Sequence, residues 1–200
     1  MHLQKARAVV AAAEQNVVSV SDPVYIEMNY YMSIYEKRFE DALSSLSKMD
    51  DRAIDNQFNY THEYQMKAAM HGFLKNSGLE KTYYDSAVTL YKNMIAKDPD
   101  DSRLYSSLGL AYAGLNRKED AIREGKKGVE LLPISKEAWR GAKRVEDLAN
   151  IYAVVGEHDL AIDELELLLS IPGDLSVNLL RLNQKWDPLR EHPRFNALLE

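Results

Sequence analysis

The chain contains no cysteine. That removes disulfides and thiolate-bound metal from consideration, but it leaves the compartment open, because reducing and oxidising spaces both accept a cysteine-free helical protein. Proline is scarce, with six in 200 residues, so the residue that most often breaks helices is rarely used. No apolar run approaches the ~20 residues that a membrane-spanning helix requires, which excludes helical membrane insertion. The opening Met1-His2-Leu3-Gln4-Lys5-Ala6 lacks the long apolar core of a secretory signal. Nor is there a basic excess: the formal charge is −6, and each half of the chain carries −3. A nucleic-acid binder usually displays a basic face or domain, so nucleic acid is not an expected partner.

What is present is a helix-forming composition, 46% apolar and 28% charged, with twelve tyrosines. Within it lies an internal repeat. Counted from Ser102, Tyr105 falls at place 4, Leu108 and Gly109 at 7 and 8, Tyr112 at 11, Ala121 at 20 and Pro133 at 32. That is the tetratricopeptide (TPR) pattern at its usual length of about 34 residues. The spacing has a physical reason. Two antiparallel helices approach closely only where small residues meet, here Gly109 on the first helix and Ala121 on the second. A glycine inside a helix costs about 1 kcal/mol relative to alanine, so close packing best accounts for it. Pro133 then ends the second helix, having no N–H to donate.

The second-helix signature recurs at Phe39–Leu43, Tyr84–Val88 and Gly156–Ile162, with alanines at 42, 87, 121 and 161 separated by 45, 34 and 40 residues. The uneven intervals place extra residues, in longer first helices or loops, around Asp55–Leu79 and Lys136–Ala142. Residues Leu3–Gln15 form an amphipathic pattern that resembles a second helix lacking its partner, and Asp22-Pro23 reads as a helix start. The chain is therefore expected to be a piece of a longer array. After Pro172-Gly173, the sets Trp186-Asp187-Pro188-Leu189 and Phe195, Leu198, Leu199 read as a cap, which solenoids need over their last repeat. The expected fold is all-α. It is a right-handed TPR-type solenoid over 1–200, with a half-repeat helix at 1–20, helix pairs at 22–50, 56–99, 102–135 and 136–172, and capping helices at 174–200.

The stretches Pro99–Leu104, Leu108–Ala113, Ala121–Lys126, Leu131–Lys136 and Trp186–Arg190 with His192–Phe195 together resemble the C-terminal TPR region of certain bacterial multidomain signalling proteins. In those proteins similar regions follow serine/threonine kinase, class III nucleotide cyclase or winged-helix domains. The resemblance is close over Asp98–Glu200 and loose over Asp22–Lys97. It implies a regulatory or scaffolding role for this chain, without the parent's chemistry; the compartment stays open, with the cytoplasm favoured over the periplasm, which would need a membrane segment upstream. Gly141-Ala142 departs from an expected Gly-Pro, and so from the expected break in the fourth pair's first helix.

No constellation for catalysis stands out, and none for a cofactor. The five histidines (2, 62, 71, 158, 192) include no i, i+4 pair with an intervening glutamate. There is no Gly-rich phosphate loop and no G-x-S-x-G elbow, so a non-enzymatic module is expected. Two features bear on binding. Tyrosines crowd residues 25–35, and the candidate contact set is Met28, Tyr31, Tyr35 and Tyr64; these form either an aromatic ligand face or core packing. A basic stretch holds Arg123, Lys126, Lys127, Arg140, Lys143 and Arg144, either a patch for an acidic partner or a solvated helix face. Groove positions 2, 5, 6 and 9 hold Arg103, Ser106, Ser107 and Leu110, then Lys143, Glu146, Asp147 and Asn150. They lack the Lys/Asn pattern that grips chaperone carboxylates. The expected partner is a protein, a peptide or another domain of the parent. A dimerisation module and a small-molecule sensor stand as alternatives.

Overall fold

The computed structural model describes residues 23–47 and 52–200, together with Gln4, Arg7, Ala8 and Ala12, which are helical. The remainder of the half-repeat at 1–20, and Asp22, lie outside the described residues. The described chain is predominantly helical. In order it comprises α1 (Pro23–Tyr35), α2 (Phe39–Leu46), β1 (Ala53–Asp55), β2 (Tyr60–His62), α3 (Glu63–Phe73), α4 (Ser77–Ile95), α5 (Ser102–Gly114), α6 (Lys118–Leu131), α7 (Ala138–Val154), α8 (His158–Ser170) and α9 (Val177–Leu182). A 3₁₀ turn (Gln184–Leu189) and α10 (Pro193–Leu198) close it. The stretch 56–99, expected as a helix pair, instead begins in a β-hairpin. Strands of three residues are too short to show an alternating pattern in sequence.

Four helix-to-helix turns repeat one device. Lys37, Lys75 and Asn116 each have φ 58° and Gly156 has φ 83°. A left-handed residue after a helix redirects the chain and lets its N–H reach back to the last turn. Arg38 N–H donates to Ser33 O at 2.8 Å, Arg117 N–H to Tyr112 O at 2.9 Å and Glu157 N–H to Tyr152 O at 2.9 Å. The four residues are separated by 38, 41 and 40 positions, more evenly than the alanines. The reason is that α4 starts at Ser77, so Ala87 lies two turns further along its helix than Ala121 does along α6.

The chain forms two compact units, residues 1–55 with 61–83, and residues 56–60 with 84–200. In the first, Ile26, Tyr30 and Ile34 recur at helical spacing on α1 and pack with Ala42, Leu46, Ile54, Met66 and Met70. Phe39 and Phe73 stack at 4.7 Å, and Arg7 pairs with Glu36 at 2.6 Å.

In the second unit α5 packs on α6, α7 on α8, and α7 against both members of the preceding pair. Helix α7 is continuous through Gly141-Ala142. A Cβ at Gly141 would stand 2.7 Å from Ile134 N and 2.8 Å from Pro133 C, so this glycine admits a main-chain crossing. The C-terminal segment, expected as a cap, buries Leu180, Trp186, Leu189 and Phe195 against Leu148, Tyr152, Ile162 and Leu165.

Gly109 also sits at a close contact. A Cβ there would meet Ile151 Cδ1 at 2.7 Å and the backbone atoms Ala121 O and Gly125 N at 3.0 Å. Gly125 falls where the repeat pattern usually has a large aromatic, but it is buried beneath Ile151 Cδ1 (2.6 Å) and Leu148 Cδ1 (3.0 Å). Side-chain ends can turn away, whereas backbone cannot. Gly109→Ala should therefore lower stability by about 1–3 kcal/mol, the usual range for overpacking, despite alanine's better helix propensity. Gly125→Ala should lose less. Urea midpoints of the two variants decide, and equal losses would contradict the assignment.

Candidate functional site

The hairpin's tip, residues 56–60, belongs to the second unit. It satisfies its donors internally: Asn56 Oδ1 accepts from Phe58 N–H and Asn59 N–H at 2.9 Å, and Asn56 N–H donates to Asn59 O at 3.0 Å. Its carbonyls are left for the helices. Arg103 Nη1 donates to Asn56 O at 2.6 Å, Arg144 Nη2 to Phe58 O, and Ser107 Oγ to Tyr60 O. Three side chains on α5 and α7 thus hold the main chain at alternate residues. Buried carbonyls need such partners. Here they are supplied by two helices rather than by another strand.

These donors are themselves fixed. Asp101 caps α5 by accepting from Arg103 N–H at 2.9 Å, and its carboxylate binds the Arg103 guanidinium at 2.9 Å and 2.6 Å. Burial opposes ionisation of Asp101, but these bonds outweigh it and hold its pKa below the ordinary carboxylate value. Arg144 is only 1% exposed, and its Nη2 lies 3.2 Å from Asp147. Asp147 also binds Lys143, and Lys143 stands 3.8 Å from Glu146, which in turn binds Lys185 of the cap. A chain of alternating charges therefore runs along α7 into the cap.

Burial raises the pKa of Glu146, but Lys143 and Lys185 outweigh it and bring the value down to about 2. Burial likewise opposes the charge on Lys143, and Asp147 and Glu146 more than offset it, so its pKa rises. A carboxylate with a depressed folded-state pKa contributes stability that is complete above its unfolded value and lost as pH falls through the folded value. The contribution of Glu146 is accordingly present above pH 4.5 and lost toward pH 2. Urea midpoints measured from pH 6 to 2.5 should fall less steeply for Glu146→Gln than for the natural chain. Parallel curves would remove Glu146 from the network.

The residues singled out in sequence are divided between the units. Met28, Tyr31 and Tyr35 lie on α1. Met28 is exposed, while Tyr31 packs against the first unit's core, edge-on to Tyr30 at 5.4 Å. Tyr64, on α3, sits 6.4 Å from the Tyr83 ring and 4.4 Å from His62, whose Nδ1 caps that helix. The basic stretch is largely neutralised locally. Arg123 pairs with Asp120 and Glu124, Lys127 with Glu130, and Arg140 with Glu137, while Lys126 is exposed. Lys143 and Arg144 turn into the charge chain. Arg103 and Ser107, weighed only as carboxylate-clamp positions, are instead donors to main-chain carbonyls.

Two features escaped sequence reading. One is the tip itself, for which the flanking Asn56 and Asn59 were the available signal. The other is Trp139, 52% exposed, beside a cavity of about 240 Å³ bounded by the tip, α7, α8 and the turn after α8. Among the described residues no group of three or more histidine, aspartate or glutamate side chains is placed to hold a metal. No described helix is long and apolar enough to cross a membrane. No family model matches the chain, and neither a curated protein nor a solved structure matches it.

Proposed function

We propose that the chain is a non-enzymatic, protein-binding module of TPR-type repeats, and that it holds its partner on the α5–α7 face of the second unit. The observation that carries this reading is the grip of Arg103, Ser107 and Arg144 on three main-chain carbonyls. Holding non-helical backbone through fixed donors is the chemistry of peptide recognition; here the donors hold the chain's own tip, and the partner lies beside it. The evenly spaced left-handed turns and the close contact at Gly109 support the repeat assignment. On this reading, and on the resemblance of residues 98–200, the chain is the regulatory or scaffolding region of a larger bacterial signalling protein.

Selection of displayed peptides on the whole chain tests the proposal. Enriched peptides should weaken at least tenfold on Ser107→Leu or Arg103→Ala and bind normally to Tyr31→Ala and Tyr35→Ala. Loss confined to the tyrosine variants would move the contact to α1. If no peptide is enriched and the mass rises with concentration, the chain is a dimerisation module.

A further inference from the structure

The cavity beside the tip lies wholly within the second unit. Its apolar walls are Phe58, Trp139, Ala142, Leu168, Pro172 and Leu175. At about 240 Å³ it exceeds the roughly 150 Å³ cavity that accommodates benzene in an engineered core. One aromatic ring fits, and the volume lies below the range of about 300–1,000 Å³ usual for pockets that hold drug-sized molecules. Two of the ionic groups on its wall are already engaged, Lys143 with Asp147 and Glu146, and Glu146 with Lys185, while Asp174 is exposed at its edge. An anionic ligand seeking Lys143 would have to break that chain. An apolar one leaves it intact.

We infer that this cavity is an anchor site for a single aromatic side chain of a partner peptide, an assignment that rests on the protein-binding reading above. Trp139 is the argument for an aromatic rather than an aliphatic occupant. It leaves half its surface to solvent at the cavity wall, where Phe58 is the second ring. Rings prefer offset or edge-to-face neighbours, and an entering ring gains contacts from both while covering exposed indole. Tryptophan and tyrosine anchors seated in pockets of this kind dominate interface energies. Arg103 and Ser107 on α5 and Arg144 on α7 hold the tip, and with it the Phe58 wall, in place, and Arg144 shares α7 with Trp139 and Ala142 of the cavity. Asp174 also lines the cavity and is exposed. It disfavours an acidic residue next to the anchor.

The experiment uses peptides selected on the whole chain, measured against Ala142→Leu and Trp139→Ala. Ala142→Leu fills the cavity from within and should leave the thermal midpoint unchanged or higher. Trp139→Ala removes an exposed side chain and should also fold normally. Both variants should weaken aromatic-bearing peptides at least tenfold, and replacing the peptide's aromatic by alanine should weaken natural-chain binding equally. Should Ala142→Leu fail to fold, Trp139→Ala and the alanine peptide carry the comparison. Peptides that weaken on Ser107→Leu and Arg103→Ala yet ignore both cavity variants would overturn the anchor and leave the protein-binding reading standing. If no peptide is enriched, that reading fails and the anchor with it. Binding of free N-acetylphenylalaninamide alone, without any peptide, would make the cavity a small-molecule site and overturn the proposal.

Discussion

Removal of Lys185–Glu200 should leave the second unit without a cooperative thermal transition. Trp186, Leu189 and Phe195 are each 0% exposed, and Leu198 and Leu199 pack against the same cluster. Burying one large apolar side chain is worth about 1.5–3 kcal/mol, so three fully buried ones contribute roughly 5–9 kcal/mol. A typical domain has about 5–15 kcal/mol in total. The truncated chain would also uncover Leu148, Tyr152, Ile162 and Leu165, and it should bind a hydrophobic dye and aggregate. Polar links to the cap matter less. Arg194 reaches Asp159, Asp163 and Glu166 at 2.7–3.1 Å from an exposed position, where solvent screens such pairs and they contribute little. Phe195→Ala should therefore cost about 3–5 kcal/mol, and Arg194→Ala little. A sharp melt of the truncated chain within a few degrees of the natural midpoint would show that the tail lies outside the core.

The burial of the C-terminal segment was legible because large apolar residues at helical spacing stand there beside Pro188 and Pro193. The same holds for α5 and α6, where Gly109, Ala121 and Pro133 each answer to a steric requirement that sequence records. The start of α4 was not legible because its landmark, Ala87, is a buried small residue well inside the helix. The turn at Lys75 is what fixes that register, and a lysine with φ 58° leaves no trace in residue type. The hairpin was missed for a related reason: three-residue strands carry no period. Sequence counting placed Arg103 and Ser107 at groove positions of the repeat pattern, but it could not say that they would hold the chain's own residues 56–60. The tyrosines of α1 show the limit in the other direction. Tyr25 and Tyr30 are buried and Tyr31 packs on the core, because α1 supplies the apolar surface that α2 and α3 enclose.

Arg144→Ala should be the most damaging substitution in the basic stretch, lowering stability by about 3–5 kcal/mol, the range for breaking a buried ion pair. The neighbouring Arg123→Ala should fall within about 1 kcal/mol of the natural chain, as exposed pairs do. Sequence gives the two arginines the same standing, whereas burial separates them. Arg144 is 1% exposed and joins Asp147 to Phe58 O, while Arg123 pairs with Asp120 and Glu124 in solvent. The loss is not a measure of what the pair contributes. Arg144 Nε and Nη1 are buried without a hydrogen-bond partner, which reduces the pair's net worth. The damage comes from what is left behind: a buried Asp147 balanced by Lys143 alone, a carbonyl without a donor, and a void on α7. Arg144→Met fills the void without restoring the charge, so it should recover part of the loss. Release of the Phe58 carbonyl has its own readout, because it loosens the tip around Phe58 and Tyr60, both cleavage sites for chymotrypsin. Limited chymotrypsin digestion under native conditions should cut Arg144→Ala and Arg144→Met at the tip faster than Arg123→Ala. Equal urea midpoints for the alanine variants, with equal digestion, would place Arg144 outside both the core and the grip on the tip.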